Sequence, residues 1–421
     1  VMVNNIKVNI GVQICEDLWD DSYSLKITEA LIDKGAEMII NISASPYRKN
    51  ILDKRISLCK DRSKDLKYYF IYCNLVGGQD ELVFDGGSFV LNSDRTLKVR
   101  CADWISANLV CDWYRDGEEW QCAQGEANAP EESLSSIYSA MMLGLRDYVE
   151  KNHFPGVLIG LSGGIDSALT AAVAVDALGA ERVVCVMMPS PYTSNESLED
   201  AADAARALGV KYHSVDIKPA MEAFDTMLKP LFNGTNPDTT EENIQARARG
   251  ITLMGLSNKT GSMVVSTGNK SEMSVGYATL YGDMCGGFSV LKDVYKMKVF
   301  SLSRWRNSNP PMGAKGPAGM VIPERIITKP PTAELKPNQK DQDTLPPYEE
   351  LDAVLECLIE KDFGVIETTA AGHKKDLVER IWRLLLLAEY KRRQAPPGVK
   401  ITQRSFGRDR RYPITDAFRE L

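Results

Sequence analysis

Short apolar runs and helical periodicities alternate along the chain, and their order predicts an α/β protein. Residues 6–14, 37–42 and 69–76 are runs rich in β-branched and aromatic side chains, while 22–34 and 51–66 carry helical periodicity. The first region therefore reads β-α-β-α-β, with two further strands at 88–91 and 96–101. Polar residues 115–133, with Gly117, Gly125 and Pro130, read as a linker. Beyond it, helix 134–151, strand 157–161, helix 167–178, strand 182–188, helix 197–208 and strand 211–215 alternate. A further strand-to-turn unit is expected at Met263–Thr267. Such alternation predicts a doubly wound parallel sheet that takes its ligand at the carboxyl ends of the strands. Residues 307–347 hold many prolines and little periodicity, which predicts a lid or binding loop. Helices at 348–360 and 374–391 follow, and the chain ends polar and basic.

The most specific chemistry lies in Gly160-Leu161-Ser162-Gly163-Gly164-Ile165-Asp166-Ser167, between the strand at 157–161 and the Ala-rich helix. Glycines in such a turn let backbone N–H groups converge on an anion. The start of the helix adds free donors and a partial positive charge beneath a phosphate. The loop contains no lysine, so it is not a Walker A P-loop. Asp166 instead supplies a carboxylate suited to Mg²⁺ on pyrophosphate oxygens.

Bulk properties narrow the setting. The 421 residues are enough for two or three domains, and 44% hydrophobic with 25% charged residues is a globular composition. A net charge of −7 offers no general attraction for nucleic acid. No apolar run approaches the roughly 20 residues needed to span a bilayer. Nine cysteines without a Cys-x-x-Cys pair, and only three histidines (153, 213 and 373), argue against zinc. Dispersed cysteines also suit a reducing cytoplasm. The expected protein is cytoplasmic, with no nucleic-acid or membrane partner.

The Ser162–Ser167 loop resembles the pyrophosphate loop of the ATP-pyrophosphatase superfamily, which includes NAD, GMP and asparagine synthetases and tRNA-modifying adenylating enzymes. The loop alone does not choose among them. Further segments do: Glu242–Arg249, Ser266-Thr267-Gly268-Asn269-Lys270-Ser271-Glu272, Gly276–Met284, Leu291–Lys296, Pro331-Thr332-Ala333-Glu334-Leu335 and Asp341–Tyr348. Together they resemble the synthetase domain of glutamine-dependent NAD synthetases, over residues 131–421. The resemblance implies an adenine-nucleotide α-hydrolase-like fold. It also implies ATP-dependent amidation of deamido-NAD to NAD through an NAD-adenylate, with ATP and Mg²⁺ as cofactors. By the same resemblance, residues 160–167, Thr267, Lys296 and Thr332 bind ATP, and Asp166 and Glu272 hold Mg²⁺. Asn243, Arg247, Glu272 and Lys400 would contact deamido-NAD. At least a homodimer is implied.

Near the start, Gly11-Val12-Gln13-Ile14-Cys15-Glu16-Asp17-Leu18-Trp19 places a cysteine after a strand, where a thiolate attacking an amide would sit. With Asn41–Tyr47 and Asp85–Ser88, this segment resembles the nitrilase-like α/β sandwich of the glutaminase domain in the same enzymes. That domain uses a Glu-Lys-Cys triad; Cys15 would be its nucleophile and Ser45 would bind glutamine. In the family the glutamate and lysine precede the cysteine by many residues, whereas Cys15 has only fourteen residues before it. Residues 1–130 are therefore expected to be the carboxyl-terminal part of an incomplete glutaminase domain, leaving free ammonia rather than glutamine as the nitrogen source for this chain. The competing readings are another adenylating amidotransferase, or an inactive nucleotide-binding subunit.

Overall fold

The computed structural model describes residues 1–3, 6–62, 68–117, 119–337 and 339–416. The chain forms two compact units: Val1–Gly78 with Leu82–Ser136, and Gln79–Glu81 with Ile137–Leu421.

In the first unit a five-stranded sheet runs in the order Ile10–Ile14, Met38–Ser43, Tyr69–Asn74, Phe89–Leu91, Leu97–Arg100. The first three strands are parallel and the last two pair antiparallel. Alternation sorts their side chains: Ile39, Phe70, Tyr72 and Phe89 pack into a core with Leu18, Leu58 and Cys59. Helices Ile27–Asp33 and Ile51–Arg62 occupy the connections between the parallel strands. The opposite face exposes Val12, Ile14 and Ile42. The expected strand at 6–14 is interrupted at Val8-Asn9, and residues 63–66 of the expected second helix lie outside the described residues.

The expected linker at 115–133 is not a plain linker. Trp113–Asp116 and Glu119–Cys122 pair as an antiparallel hairpin, with Asp116 opposite Glu119. The turn opens at Gly117, directly after the paired Asp116, and Gly117 takes the left-handed φ of +63° that tight hairpin turns require at their first residue.

The second unit holds a five-stranded parallel sheet ordered Lys211–Ser214, Val183–Met187, Val157–Gly160, Met263–Ser266, Phe288–Ser289. From the central Val157–Gly160 strand the chain winds outward on one side, then returns to add Met263–Ser266 on the other. The strand order reverses between these two neighbours, so the loops leaving them diverge and open a crevice at their carboxyl ends. Helices Ser133–Lys151, Ile165–Leu178 and Asn195–Leu208 match the periodicity.

Three differences bear on the site. The stretch containing Glu242–Arg249 belongs to a 22-residue helix, Thr239–Thr260. Asp238 and Glu241 form its capping box, and Gly261 ends it at φ +74°. A further helix, Lys296–Ser308, begins at Lys296. Segment 307–347 is not one loose loop: Val321, Ile322, Ile326 and Ile327 are buried, and Glu324–Thr328 is helical. Asn307 holds the backbone N–H groups of Val321 and Ile322 through its side-chain oxygen. No helix among the described residues is long and apolar enough to cross a membrane.

Candidate active site

The crevice of the second unit is a cleft of about 270 Å³. Its floor is the turn after Val157–Gly160. The Ser167 hydroxyl accepts from the Ser162 N–H (3.2 Å) and lies 3.1 Å from the Ser162 hydroxyl, which in turn accepts from the Gly164 N–H (3.3 Å). These bonds hold the turn in a tight curl. Gly163 sits at φ +79°, and a Cβ there would lie 2.4 Å from the Ser197 carbonyl oxygen, so the position excludes any side chain. Gly164 is the N-cap of Ile165–Leu178 and no side chain caps that helix. Its first N–H groups are thus left for an anion.

Asp166 lies in the first turn of that helix. Asn269 Nδ2 donates to its Oδ1 at 2.8 Å, and Lys296 Nζ lies 2.5 Å from its Oδ2. The same ammonium lies 3.0 Å from Glu272 Oε1 and 5.0 Å from the centre of the Tyr348 ring. Asn269 caps the short helix Lys270–Val275 and accepts from the Glu272 N–H at 3.0 Å, which orients Glu272. Burial pushes the Glu272 carboxyl up to about 8: Lys296 opposes the rise, and the charges of Asp166 and Asp341 add to it. For Lys296 burial works against the charged form, but Asp166 and Glu272 outweigh it and hold the ammonium well above its ordinary value.

The structure thus brings together Ser162, Gly164, Asp166, Ser167, Thr267, Glu272, Lys296 and Thr332 around one cleft. The carboxylates of Asp166 and Glu272 both reach one cation, here the Lys296 ammonium, and are the hard oxygen donors that Mg²⁺ prefers. Among the described residues no group of three or more His, Cys, Asp or Glu side chains is placed to hold a metal unaided. Mg²⁺ fits this pair if substrate oxygens complete its coordination.

Several cleft residues escape motif reading. Asp341 is buried and accepts from Tyr277 (3.2 Å) and Tyr348 (2.8 Å). Glu334 accepts from the hydroxyls of Ser194 (2.7 Å) and Ser197 (2.8 Å), tying the Thr332 segment to the start of Asn195–Leu208. Lys329 bridges Ser197 and Asp200. Arg249, one turn beyond Gln245, donates to the Met188 carbonyl at 3.1 Å, and burial lowers its guanidinium to about 10. The quoted Glu242–Arg249, Pro331–Leu335 and Asp341–Tyr348 segments contain Arg249, Glu334 and Asp341 without singling them out; Ser197 and Lys329 carry no sequence signal.

Asn243, Arg247 and Lys400 do not line the cleft. Asn243 accepts from the Thr279 hydroxyl (2.9 Å), and Thr279 does line it, so Asn243 stands behind that wall. Arg247 is exposed and donates to the Leu280 carbonyl at 3.1 Å. Lys400 is ion-paired with Asp409 at 2.5 Å.

In the first unit, Cys15 follows its strand at φ +42°, a conformation costly for any residue with a side chain. Ile14 pairs with Ile42, so Cys15 and the segment leading to Ser45 leave neighbouring strands at the same edge. Ser45 is buried, and its hydroxyl accepts from Arg55 Nε at 3.1 Å. Arg55 is in turn fixed by Asp85 at 2.8 and 2.9 Å. Among the described residues no hydrogen bond reaches the Cys15 thiol.

Comparison with known proteins agrees with this geometry. The NAD synthase family model matches residues 137–395. The glutamine-dependent NAD(+) synthetase of Rhodobacter capsulatus is 48% identical over 413 residues, covering 98% of this chain and 74% of the relative. That of Acinetobacter baylyi is 46% identical over 409 residues, covering 97% and 73%. The structure of the Acinetobacter baumannii glutamine-dependent NAD+ synthetase in complex with ADP aligns at a TM-score of 0.71 and 44% identity, over 98% of this chain and 73% of that one. At 20% identity, the Cytophaga hutchinsonii enzyme shares the fold, with a TM-score of 0.76 over 99% of this chain and 75% of that one. Likeness of this extent, over nearly the whole chain, places the protein in the family of glutamine-dependent NAD(+) synthetases.

Proposed function

We propose that residues 131–421 amidate deamido-NAD to NAD in two steps at the cleft of the second unit, with ammonia as the attacking nitrogen. In the first step the nicotinate carboxylate attacks the α-phosphorus of ATP; pyrophosphate leaves and an NAD-adenylate remains. In the second, ammonia attacks the acyl carbon and AMP leaves. Both partners of the first step are anions, so the site must offset their charge and hold them in line. The Ser162–Ser167 turn and the helix start beneath it receive the leaving pyrophosphate through backbone donors. Lys296 brings a positive charge to the same phosphates, and Thr267 and Thr332 bind the nucleotide. Asp166 and Glu272 would hold Mg²⁺, which supplies further positive charge to the pyrophosphate oxygens when bound. Residues 329–335 and Asp341 wall the cleft and keep water from the adenylate.

Asn243, Arg247 and Lys400 are assigned to deamido-NAD. Asn243 stands behind the cleft wall through Thr279, while Arg247 and Lys400 lie outside the cleft lining. Residues 1–130 are assigned to part of a nitrilase-like glutaminase, with Cys15 as its nucleophile and Ser45 near the glutamine. The protein is assigned to the cytoplasm.

The observation that carries this reading is the convergence of the Ser162–Ser167 turn, Asp166, Glu272 and Lys296 on one cleft. The test supplies deamido-NAD, ATP and Mg²⁺ with either ammonium or glutamine. NAD is expected with ammonium, and no NAD from either source would overturn the synthetase assignment.

A further inference from the structure

The helix that presents Lys296 has no cap of its own. Tyr295 stands at the N-cap and its side chain accepts no hydrogen bond there; the first turn contains no acidic residue. It opens on a lysine, the charge that the positive end of the helix dipole disfavours. Its first N–H groups are nevertheless met, by two other helices. The Lys296 N–H donates to Ser271 Oγ at 2.9 Å, and the Met297 N–H donates to Asp352 Oδ2 at 2.8 Å. The Ser271 hydroxyl donates to Asp352 Oδ1, which closes the cluster. Ser271 is 0% and Asp352 5% exposed, so water does not substitute for either.

Each partner also leads to the Lys296 side chain. Ser271 immediately precedes Glu272, whose carboxylate lies 3.0 Å from Lys296 Nζ. Asp352 lies one turn after Tyr348 in the helix Tyr348–Leu355, and the Tyr348 ring sits 5.0 Å from the same ammonium. One hydroxyl–carboxylate pair therefore fixes the backbone of Lys296 to both helices that flank its charge, and Asp352 supplies the negative charge that the helix start lacks.

We propose that Ser271 and Asp352 are positioning residues for the synthetase reaction, acting through Lys296 to hold its ammonium between Asp166 and Glu272. This rests on the reading of Lys296 as the charge that meets the ATP phosphates. A misplacement of about 1 Å in a reacting group costs on the order of 100-fold in rate, whereas an ordinary helix cap affects stability alone.

The experiment measures ammonium-driven NAD synthesis and melting temperature for the full chain and five variants: Ser271→Ala, Ser271→Thr, Asp352→Asn, Val354→Ala and Lys296→Gln. Val354 is fully buried in the same helix as Asp352 and serves as the packing control. Ser271→Ala and Asp352→Asn are expected to lower kcat by about tenfold or more. Ser271→Thr, which keeps the hydroxyl, and Val354→Ala are expected to lose melting temperature but keep kcat within about threefold. Should Asp352→Asn fail to fold, the Ser271 pair decides alone. Wild-type kcat in Ser271→Ala, with Lys296→Gln inactive, would overturn the positioning role and leave the reading of Lys296 standing. Wild-type activity in Lys296→Gln would overturn both.

Discussion

Lys296 Nζ lies 2.5 Å from Asp166 Oδ2, although 130 residues separate the two along the chain. The contact joins the helix under the pyrophosphate turn to the helix that Ser271 and Asp352 cap, and Glu272 shares the same ammonium. One buried ammonium thus lies against both acidic side chains before any substrate arrives. Removing it while leaving both acids in place is expected to lower kcat/KM for ATP by about 100-fold or more in Lys296→Gln, read by steady-state NAD formation.

Gly163 and Gly255 give opposite expectations for the same change. At Gly163, φ is +79° and a new Cβ would meet the Ser197 carbonyl oxygen at 2.4 Å, so the turn must deform. Gly163→Ala is expected to raise KM for ATP by about tenfold or more, since the phosphate donors move with the turn. Gly255 is exposed inside the Thr239–Thr260 helix, and a Cβ there meets nothing within 4 Å. Gly255→Ala is expected to stabilise by about 0.5–1 kcal/mol with KM unchanged. Melting temperature and ATP titration distinguish the two.

Burial raises the Glu272 carboxyl to about 8, so below that pH a proton occupies the group assigned to Mg²⁺. Binding a cation there must release the proton. Apparent Mg²⁺ affinity is therefore expected to rise with pH until the group is ionised, by up to about tenfold per unit below pH 8. It should level off above that pH. Titration of free Mg²⁺ at saturating ATP between pH 6.5 and 9 measures the slope, and Glu272→Gln should remove it.

Asp176 and Arg306 form a buried pair away from the reacting groups. Arg306 Nε lies 2.5 Å and Nη2 2.9 Å from the two carboxylate oxygens, and Tyr138 donates to Asp176 at 2.6 Å. Arg306 also donates to the Pro317 carbonyl at 2.7 Å, which helps to pin the segment before the cleft wall. Asp176→Ala strands a buried guanidinium and is expected to cost about 3–5 kcal/mol, read by urea unfolding, with a normal KM for ATP in whatever fraction stays folded.

How much of this was legible in the sequence depended on how local each feature is. The Ser162–Ser167 turn is contiguous, its glycines are required by backbone geometry, and it follows a strand of apolar residues; it could be read directly. Glu272 and Lys296 were legible through the motifs around them. Ser197 and Lys329 were not, because an ordinary surface-like serine and lysine reach the cleft only when Glu334 and Asp200 draw two distant segments together. The Ser271–Asp352 pair joins residues 81 apart, and no local pattern records such a contact. Segment 307–347 looked unstructured because its anchors are side chain-to-backbone bonds from Asn307 and Arg306, which leave no periodicity. The hairpin after Trp113 was hidden by reading Gly117 as a linker glycine rather than as the first residue of a tight hairpin turn.

The central claim is that the cleft of the second unit cleaves ATP between the α and β phosphates to activate the deamido-NAD carboxylate. Exchange of labelled pyrophosphate into ATP, measured with Mg²⁺ and no ammonia source, tests it most directly. The account predicts exchange that depends on deamido-NAD and is lost in Lys296→Gln. Absence of exchange while ammonium-driven turnover releases ADP and phosphate would contradict it.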